Sequence, residues 1–283
     1  MPDYGHDLRF AANLLPSSED PAGVVRLVRA AEDRGADLVT FQDHPYQPGY
    51  LDTWTLLAYA AAATTRIRLA GNVHPLPLRP PAMLAQSAAS LDLLSGGRFE
   101  LGLGTGAFWD AIEAMGGPRR APGDAVDALE EGIRIIRELW DADARGGVRF
   151  EGRHYQVHGA KRGPRPAHDI GIWLGAYGPR MLRLTGRVAD GWLPSLPYLK
   201  SVERLAEGNA VIDEAAVAAG RSPESVVRLL NLVDEPHPEE IADLALTHGV
   251  SVFTLIVHDD AQTGRWLEET VPAARELIVK ERG

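Results

Sequence analysis

Apolar and polar residues follow one another along the chain in two alternating patterns. Residues 8–14 form a short apolar run typical of a buried strand, and a helix is predicted from the N-cap and first-turn proline, Asp20-Pro21, to Gly35. A second apolar run at 37–41 begins the pattern again. The chain therefore starts with a strand, a helix and another strand, which is the beginning of a repeating βα unit.

The same unit recurs through the rest of the sequence. Further strands are predicted at 67–73, 98–103, 170–174, 190–193, 226–232 and 251–256, and further helices near 52–64, 80–95, 126–139, 201–219, 238–248 and 262–280, with one more beginning at Pro179. Residues 148–157 predict a small hairpin inserted between units. Eight strands alternating with eight helices predict an α/β fold, a single (βα)8 TIM barrel that forms one domain over 1–283. An open doubly wound sheet is the alternative.

Composition narrows the class of protein. The chain has 283 residues, 45% of them hydrophobic and 24% charged, which is enough for one large core. The sequence has no cysteine, which excludes disulfides, thiolate metal sites and cysteine nucleophiles and suits a cytoplasmic protein. No basic segment followed by an apolar run stands at the N-terminus, so neither export nor membrane insertion is expected. A net charge of −10 disfavours nucleic acid as a partner.

Four loops are expected to meet at one mouth of the barrel, because reactive residues of this fold lie at the C-terminal ends of the strands. The loops follow the second to the fifth predicted strands, and they contain Asp43-His44, Asn72-Val73-His74, Gly104-Thr105-Gly106 and Gly175-Ala176-Tyr177-Gly178-Pro179-Arg180. The sequence therefore predicts a site for a small molecule at this mouth.

Three glycines at alternate positions, Gly102, Gly104 and Gly106, end the fourth strand. Glycine weakens a strand, so alternate glycines indicate that a ligand or another backbone approaches closely. The alternative is a bulge or a barrel corner.

The other loops carry candidate chemistry, each with a plainer alternative. One helix begins at Gly178, Pro179 and Arg180, and its first turn can bind an anion. The alternative is that this segment is a simple connection. His44 beside Asp43 can transfer a proton or hydrogen-bond a ligand ring, although a loop histidine is often structural.

Two further sets of residues are candidates for substrate or metal contact. A hydrophobic substrate pocket is predicted with Phe108 and Trp109 in its wall, and His74 is assigned to the same pocket. The alternative is that the two aromatic residues belong to the core. His74 could also join Asp43, His44 and His258-Asp259-Asp260 in a metal cluster, as in a metal-dependent hydrolase. No compact ligand motif supports that cluster, so no metal site is predicted.

Five stretches together resemble the luciferase-like family of flavin and deazaflavin oxidoreductases. They lie at 43–73, 79–106, 128–140, 152–159 and 172–192 and include RFELGLGTG, GRHYQVHG and IWLGAYGPR. The match covers most of residues 8–195 in the correct order. Beyond about residue 200 it rests on the barrel pattern alone.

The resemblance implies a (βα)8 barrel that holds FMN or the deazaflavin coenzyme F420 at its C-terminal mouth and transfers hydride. It implies a cis peptide bond between Asn72 and Val73 behind the cofactor ring, with His44 at the ring or the substrate. The residues it assigns to cofactor binding are Asn72, Val73, Gly104, Thr105, Gly106, Gly175, Ala176, Gly178, Pro179 and Arg180, and the catalytic residues are His44 and Asp43.

Within the family the GTG ending and Gln42-Asp43-His44 favour F420 over FMN. An FMN-dependent monooxygenase and a non-catalytic flavin-binding barrel are the alternatives. Ala107 stands where the sugar-phosphate dehydrogenases of the deazaflavin branch carry a carboxylate, so glucose-6-phosphate dehydrogenase activity is not expected. The resemblance also implies a homodimer.

Overall fold

The structure, a computed structural model, describes residues 3–282. Its strands are β1 (Arg9–Leu14), β2 (Leu38–Phe41), β3 (Arg68–Gly71), β4 (His74–Pro75), β5 (Phe99–Gly104), β6 (Val148–Glu151), β7 (Gln156–Ala160), β8 (Ile172–Leu174), β9 (Gly191–Trp192), β10 (Val227–Leu232) and β11 (Val252–Val257). Its helices are α1 (Pro21–Asp33), α2 (Thr53–Ala63), α3 (Pro81–Ser95), α4 (Trp109–Ala114), α5 (Pro122–Trp140), α6 (Pro179–Val188), α7 (Leu196–Leu199), α8 (Glu203–Ala218), α9 (Pro238–Leu246), α10 (Asp260–Gly264) and α11 (Val271–Arg282).

Eight parallel strands close into a barrel. The pairing runs β3-β2-β1-β11-β10-β9-β8-β5, and β3 also pairs with β5 through Leu69 and Phe99, which joins the two ends. This closure confirms the predicted (βα)8 barrel and shows that the open doubly wound sheet was wrong. β4 extends the sheet beside the end of β5, while β6 and β7 form the predicted antiparallel hairpin, which continues to Ala160.

Side chains of the barrel strands alternate between two apolar layers. On β1, Phe10 and Leu14 belong to the large core between the strands and the helices. Ala11 belongs instead to a smaller cluster inside the barrel, together with Leu38, Ala70, Trp173, Leu193, Leu229 and Val252. The inward positions two residues after five members of this smaller cluster are polar. They are Asn13, Thr40, Asn72, Asn231 and Thr254. A polar layer therefore separates the apolar interior from the mouth.

The helices differ from the predicted pattern in two places. The short helices α4 and α7 were not predicted, since four to six residues are too few to establish a helical period. The predicted last helix is divided into α10, a π-helical segment at Arg265–Thr270 and α11. Within residues 3–282, none of the helices combines the length and the apolar character needed to cross a membrane.

The side chain of Glu32 binds backbone groups at the end of the barrel opposite the mouth. Glu32 is 9% exposed and accepts hydrogen bonds from the backbone N–H groups of Thr65, Arg66 and Ile67. Burial raises the pKa of Glu32, but these three donors outweigh it and hold the pKa below its ordinary value. The carboxylate thus satisfies the backbone just before β3.

Candidate active site

A cavity of about 670 Å³ opens at the C-terminal ends of the barrel strands. Ten of the predicted site residues line it, namely Asp43, His44, Asn72, Val73, Gly104, Thr105, Gly106, Phe108, Gly175 and Gly178. It is completed by Asn13, Gln42, Tyr46, Pro75, Ala107, Tyr177, Met181, Leu193, Ser195, Tyr198, Asn231 and Ile256. The four predicted loops therefore meet at one mouth, and their roles in binding and catalysis stay predictions.

The floor of the cavity is built around Val73. The peptide bond between Asn72 and Val73 is cis, as the resemblance implied. A Cβ atom on Gly104 would lie 2.9 Å from Val73 Cγ2, and one on Gly102 would lie 2.2 Å from the carbonyl oxygen of Gly71. The predicted close approach of another backbone is therefore found at Gly102, whereas Gly104 packs against the Val73 side chain and borders the cavity.

Amide and hydroxyl groups lie beneath this floor. Asn72 Nδ2 donates to Asn231 Oδ1 at 2.6 Å, and Asn231 Nδ2 donates back to Asn72 Oδ1 at 3.1 Å. The Thr254 hydroxyl also donates to Asn231 Oδ1. Asn13, which is 4% exposed, lines the cavity, but its Oδ1 accepts no hydrogen bond from the described residues. The layer thus fixes Asn72 in place and leaves one buried acceptor at the cavity.

Asp43 and His74 form a buried pair beside the floor. Each side chain is 1% exposed, and His74 Nδ1 lies 2.6 Å from Asp43 Oδ2. The imidazole of His74 stacks on the Trp54 ring with centroids 4.4 Å apart and contacts Gly71 on its other side. Asp43 lines the cavity while its second oxygen, Oδ1, has no partner among the described residues. His74 therefore holds one carboxylate oxygen, and the other is a buried acceptor without a partner among the described residues.

His44 lies among aromatic rings at the mouth. Its imidazole stacks on Tyr46 with centroids 5.4 Å apart and meets the edge of Phe108 at the same distance. Burial lowers the pKa of His44, and the charge of Asp43 opposes this in part. The imidazole is consequently neutral at pH 7, with one nitrogen able to accept a proton.

Two tyrosines complete the rim from the opposite side. Tyr177 and Tyr198 meet edge to face with ring centroids 5.8 Å apart, and the Tyr177 hydroxyl accepts a hydrogen bond from the backbone of Ser195 at 2.9 Å. Burial raises the pKa of Tyr177 and of Tyr46 to about 12. Both hydroxyl groups therefore remain protonated near neutral pH and can donate hydrogen bonds.

The loop after β8 leads directly into α6. Gly178 is the N-cap residue and lines the cavity, and Pro179 is the first residue of the helix. Arg180 does not line the cavity, since its guanidinium is 56% exposed and paired with Asp127. An anion at Gly178 would meet the positive end of the helix, with Arg180 one residue beyond the proline.

Several predicted contacts need correction. Ala176 is fully buried in the core, and its carbonyl oxygen accepts a hydrogen bond from Trp192 Nε1 at 2.9 Å, so its methyl group faces away from the cavity. Trp109 and Pro179 begin helices outside the lining. His74 lies behind Asp43 rather than in a substrate pocket, because Trp54 covers its ring.

The alternative metal cluster is not assembled. Asp260 forms two hydrogen bonds to Arg34, at 2.8 and 2.9 Å, away from the cavity. Among the described residues, the set whose ligand atoms lie close enough for a metal ion is Asp124, Asp127 and His154, and none of these belongs to the predicted cluster. The arrangement therefore gives no support to a metal-dependent hydrolase.

The sequence interpretation missed most of the polar layer and two of the five rings at the rim. Asn13 and Asn231 each stand between apolar residues near the C-terminal end of a strand, a signal that could have marked them as inward residues of a site. Tyr46 lies in a loop and Tyr198 in the short helix α7, and neither carries a local signal of this kind. Their position at the mouth follows from the closure of the barrel.

Comparison with known proteins agrees with this architecture. A family model described as luciferase-like monooxygenase matches residues 7–275. An F420-dependent glucose-6-phosphate dehydrogenase from Mycolicibacterium gilvum is 33% identical over 227 residues, 75% of this chain and 64% of that protein. A 5,10-methylenetetrahydromethanopterin reductase from Methanopyrus kandleri is 31% identical over 230 residues, 78% of this chain and again 64% of that protein. The chain thus spans less than two thirds of the length of these curated relatives.

The fold is shared with solved structures as well. A monooxygenase from Streptomyces bottropensis superimposes with a TM-score of 0.76 at 22% identity, covering 98% of this chain and 100% of that one. The family match covers almost the whole barrel and includes all four loops at the mouth. The chain belongs to the luciferase-like monooxygenase family.

Proposed function

We propose that this protein is an oxidoreductase that binds the deazaflavin F420, or FMN in its place, and transfers hydride to or from a small organic substrate. The observation that carries the proposal is the cavity floor. There Val73 borders the cavity together with Gly104 and Gly175. A planar ring can approach such a floor closely, because neither glycine has a side chain above it.

The residues around the floor fit a ring with hydrogen-bond donors. Asn13 Oδ1 and Asp43 Oδ1 are buried acceptors without a partner among the described residues, and buried acceptors are normally satisfied. The ring N–H group of a flavin or deazaflavin, or the hydroxyl groups of the cofactor, would supply the missing donors. When bound, such a cofactor provides the ring position that accepts or gives the hydride.

The side chains beside the floor would transfer protons and orient the bound molecules. The His44 imidazole, neutral at pH 7, would accept a proton from the substrate or return one to it. The Asp43 carboxylate would orient the ring or the substrate through Oδ1, since its other oxygen is held by His74. The surrounding rings of Tyr46 and Phe108 would exclude water from this step.

The charge at the phosphate position, near Gly178, supports F420 over FMN. No lysine or arginine within residues 3–282 lines the cavity. The phosphate monoester of FMN carries nearly two negative charges, whereas the phosphodiester of F420 carries one. The end of α6 at Gly178, with Arg180 near it, is better matched to the smaller charge.

Titration of the purified protein with F420, FMN and reduced FMN, followed by cofactor fluorescence, tests the proposal. Saturable binding of F420, tighter than that of either form of FMN, is the expected result. Binding of FMN alone would instead favour the FMN-dependent monooxygenase. If none of the three cofactors binds, the proposal is wrong.

Replacement of Arg180 by alanine is expected to weaken cofactor binding by about tenfold, because a charge-assisted contact to the phosphate would be lost. Arg187 on the same helix is a matched control, since it also pairs with an acidic residue, Glu130, and does not line the cavity. Arg187→Ala should leave the affinity unchanged. Equal effects of the two substitutions in the fluorescence titration would refute a phosphate contact by Arg180.

We also propose a homodimer, with the outer face of α3 in the interface. Met83 and Leu94 are 59% and 84% exposed and lie on one side of that helix, with the small residues Ser87 and Ser90 between them. A second copy of this chain could pack closely against such a face. Light scattering should give the mass of a dimer for the protein and that of a monomer for Met83→Glu. A monomeric parent protein would contradict this proposal.

A further inference from the structure

The rim of the cavity indicates which molecules can react there. We propose that the substrate is an uncharged, ring-containing compound, aromatic or polycyclic, without phosphate or carboxylate groups. The proposal rests on the proposed function, since it concerns the space above the cofactor floor. Two independent properties of the rim carry it, namely its charge and its arrangement of aromatic rings.

The lining offers no counter-charge for an anionic substrate. Within residues 3–282 it contains no lysine or arginine, and its one carboxylate, Asp43, would repel an anion. His44 cannot compensate, because burial lowers its pKa and leaves the ring neutral. The whole chain is also acidic, with a net charge of −10. A phosphate or carboxylate placed at the rim would lose its hydration without gaining a cation.

Aromatic rings stand on two sides of the rim. His44, Tyr46 and Phe108 contact one another with centroids 5.4 to 5.7 Å apart on one side, and Tyr177 and Tyr198 meet on the other. Tyr46 follows β2 and Tyr198 follows β9, two strands that lie across the barrel from each other, and both residues line the cavity. A planar ring between them would gain stacking or edge contacts on both faces.

The rim lies on the solvent side of the cofactor floor. Phe108, Tyr177 and Tyr198 are 49%, 43% and 68% exposed, whereas Asn13, Asp43 and Asn231 at the floor are all buried. A substrate entering from solvent would therefore meet the rings first and lie above the floor. The protonated hydroxyl group of Tyr46 could donate a hydrogen bond to a carbonyl or hydroxyl oxygen on the substrate.

A pair of probes that differ in one phosphate group tests the inference. 2-Naphthol and 2-naphthyl phosphate are titrated calorimetrically into the protein saturated with whichever cofactor binds, or into the protein alone if none does. The naphthol is expected to bind at least about tenfold more tightly. Equal or tighter binding of the phosphate, or no binding of the naphthol, would overturn the proposal.

Two substitutions separate the contributions of the rings and the charge. Phe108→Ala should weaken naphthol binding by about fivefold through the loss of aromatic contact, and Val217→Ala, at an exposed position of α8 outside the lining, should not. Ala107→Arg should raise the affinity for the naphthyl phosphate, since it adds a cation to the lining. Unchanged affinities in both cavity variants would refute the assigned subsite.

The cofactor titration distinguishes a failure of the substrate proposal from a failure of the proposed function. If F420 or FMN binds but the naphthol does not, the substrate class is wrong and the proposed function stands. If the naphthol binds as expected but no cofactor does, the rim is an aromatic binding site and the proposed function fails.

Discussion

Gly102→Ala is expected to destabilise the protein by about 3 kcal/mol or more, and to lower its melting temperature by about 6–12 °C. A Cβ atom at this position would lie 2.2 Å from the carbonyl oxygen of Gly71, which is backbone of the neighbouring strand β3. Backbone cannot rotate away as a side chain can, so β3 and β5 would have to separate where they close the barrel. Urea unfolding followed by circular dichroism measures the loss.

Two other glycines provide controls. Gly49 has no atom within 4 Å of a built Cβ, so Gly49→Ala should change the stability by no more than about 0.5 kcal/mol. At Gly104 the nearest atom is Val73 Cγ2 at 2.9 Å, the end of a side chain. Gly104→Ala should therefore weaken cofactor binding more than it affects folding. If Gly102→Ala were as stable as Gly49→Ala, the close approach of the two strands would be wrong.

Gly102 and Gly104 also show which features of the site could be predicted from the sequence. Alternate glycines at the end of a strand predicted a close approach, and the barrel pattern predicted which loops would share the mouth with them. The sequence could not assign Gly102 to the backbone and Gly104 to the cavity. That difference depends on the position of Gly71 and Val73, which the pairing of β3 with β5 determines.

The placement of residues at the cavity was predicted well where it depends on the loop sequence and poorly where it depends on packing between distant elements. Asp43, His44 and Gly178 line the cavity as expected. His74 was assigned to a substrate pocket, but it lies behind Asp43. Its burial depends on Trp54 and Asp43, which come from other parts of the chain, and a local motif contains no information about them.

His74→Leu is expected to destabilise the protein by about 3–5 kcal/mol, because it leaves the Asp43 carboxylate buried without a partner. His168→Leu is a matched control, since His168 also pairs with a fully buried acid, Asp92, at 2.8 Å. Asp92 keeps hydrogen bonds from the backbone N–H groups of Phe99 and His168. His168→Leu should therefore lower the free energy of unfolding by about 1 kcal/mol. Equal losses in urea unfolding would show that the Asp43–His74 pair has no special role.

The double variant Asp43→Val/His74→Leu should recover most of the stability that His74→Leu loses, because replacing both members of a buried pair by apolar residues removes the unpaired charge. The same variant removes Asp43 Oδ1, the buried acceptor at the cavity, so its affinity for F420 should fall by about tenfold although the protein is folded. Unfolding measurements and fluorescence titration on the four proteins of this cycle separate the two effects. A double variant that lost stability additively would show that the two residues act independently, and one that bound F420 normally would place the ring away from Asp43.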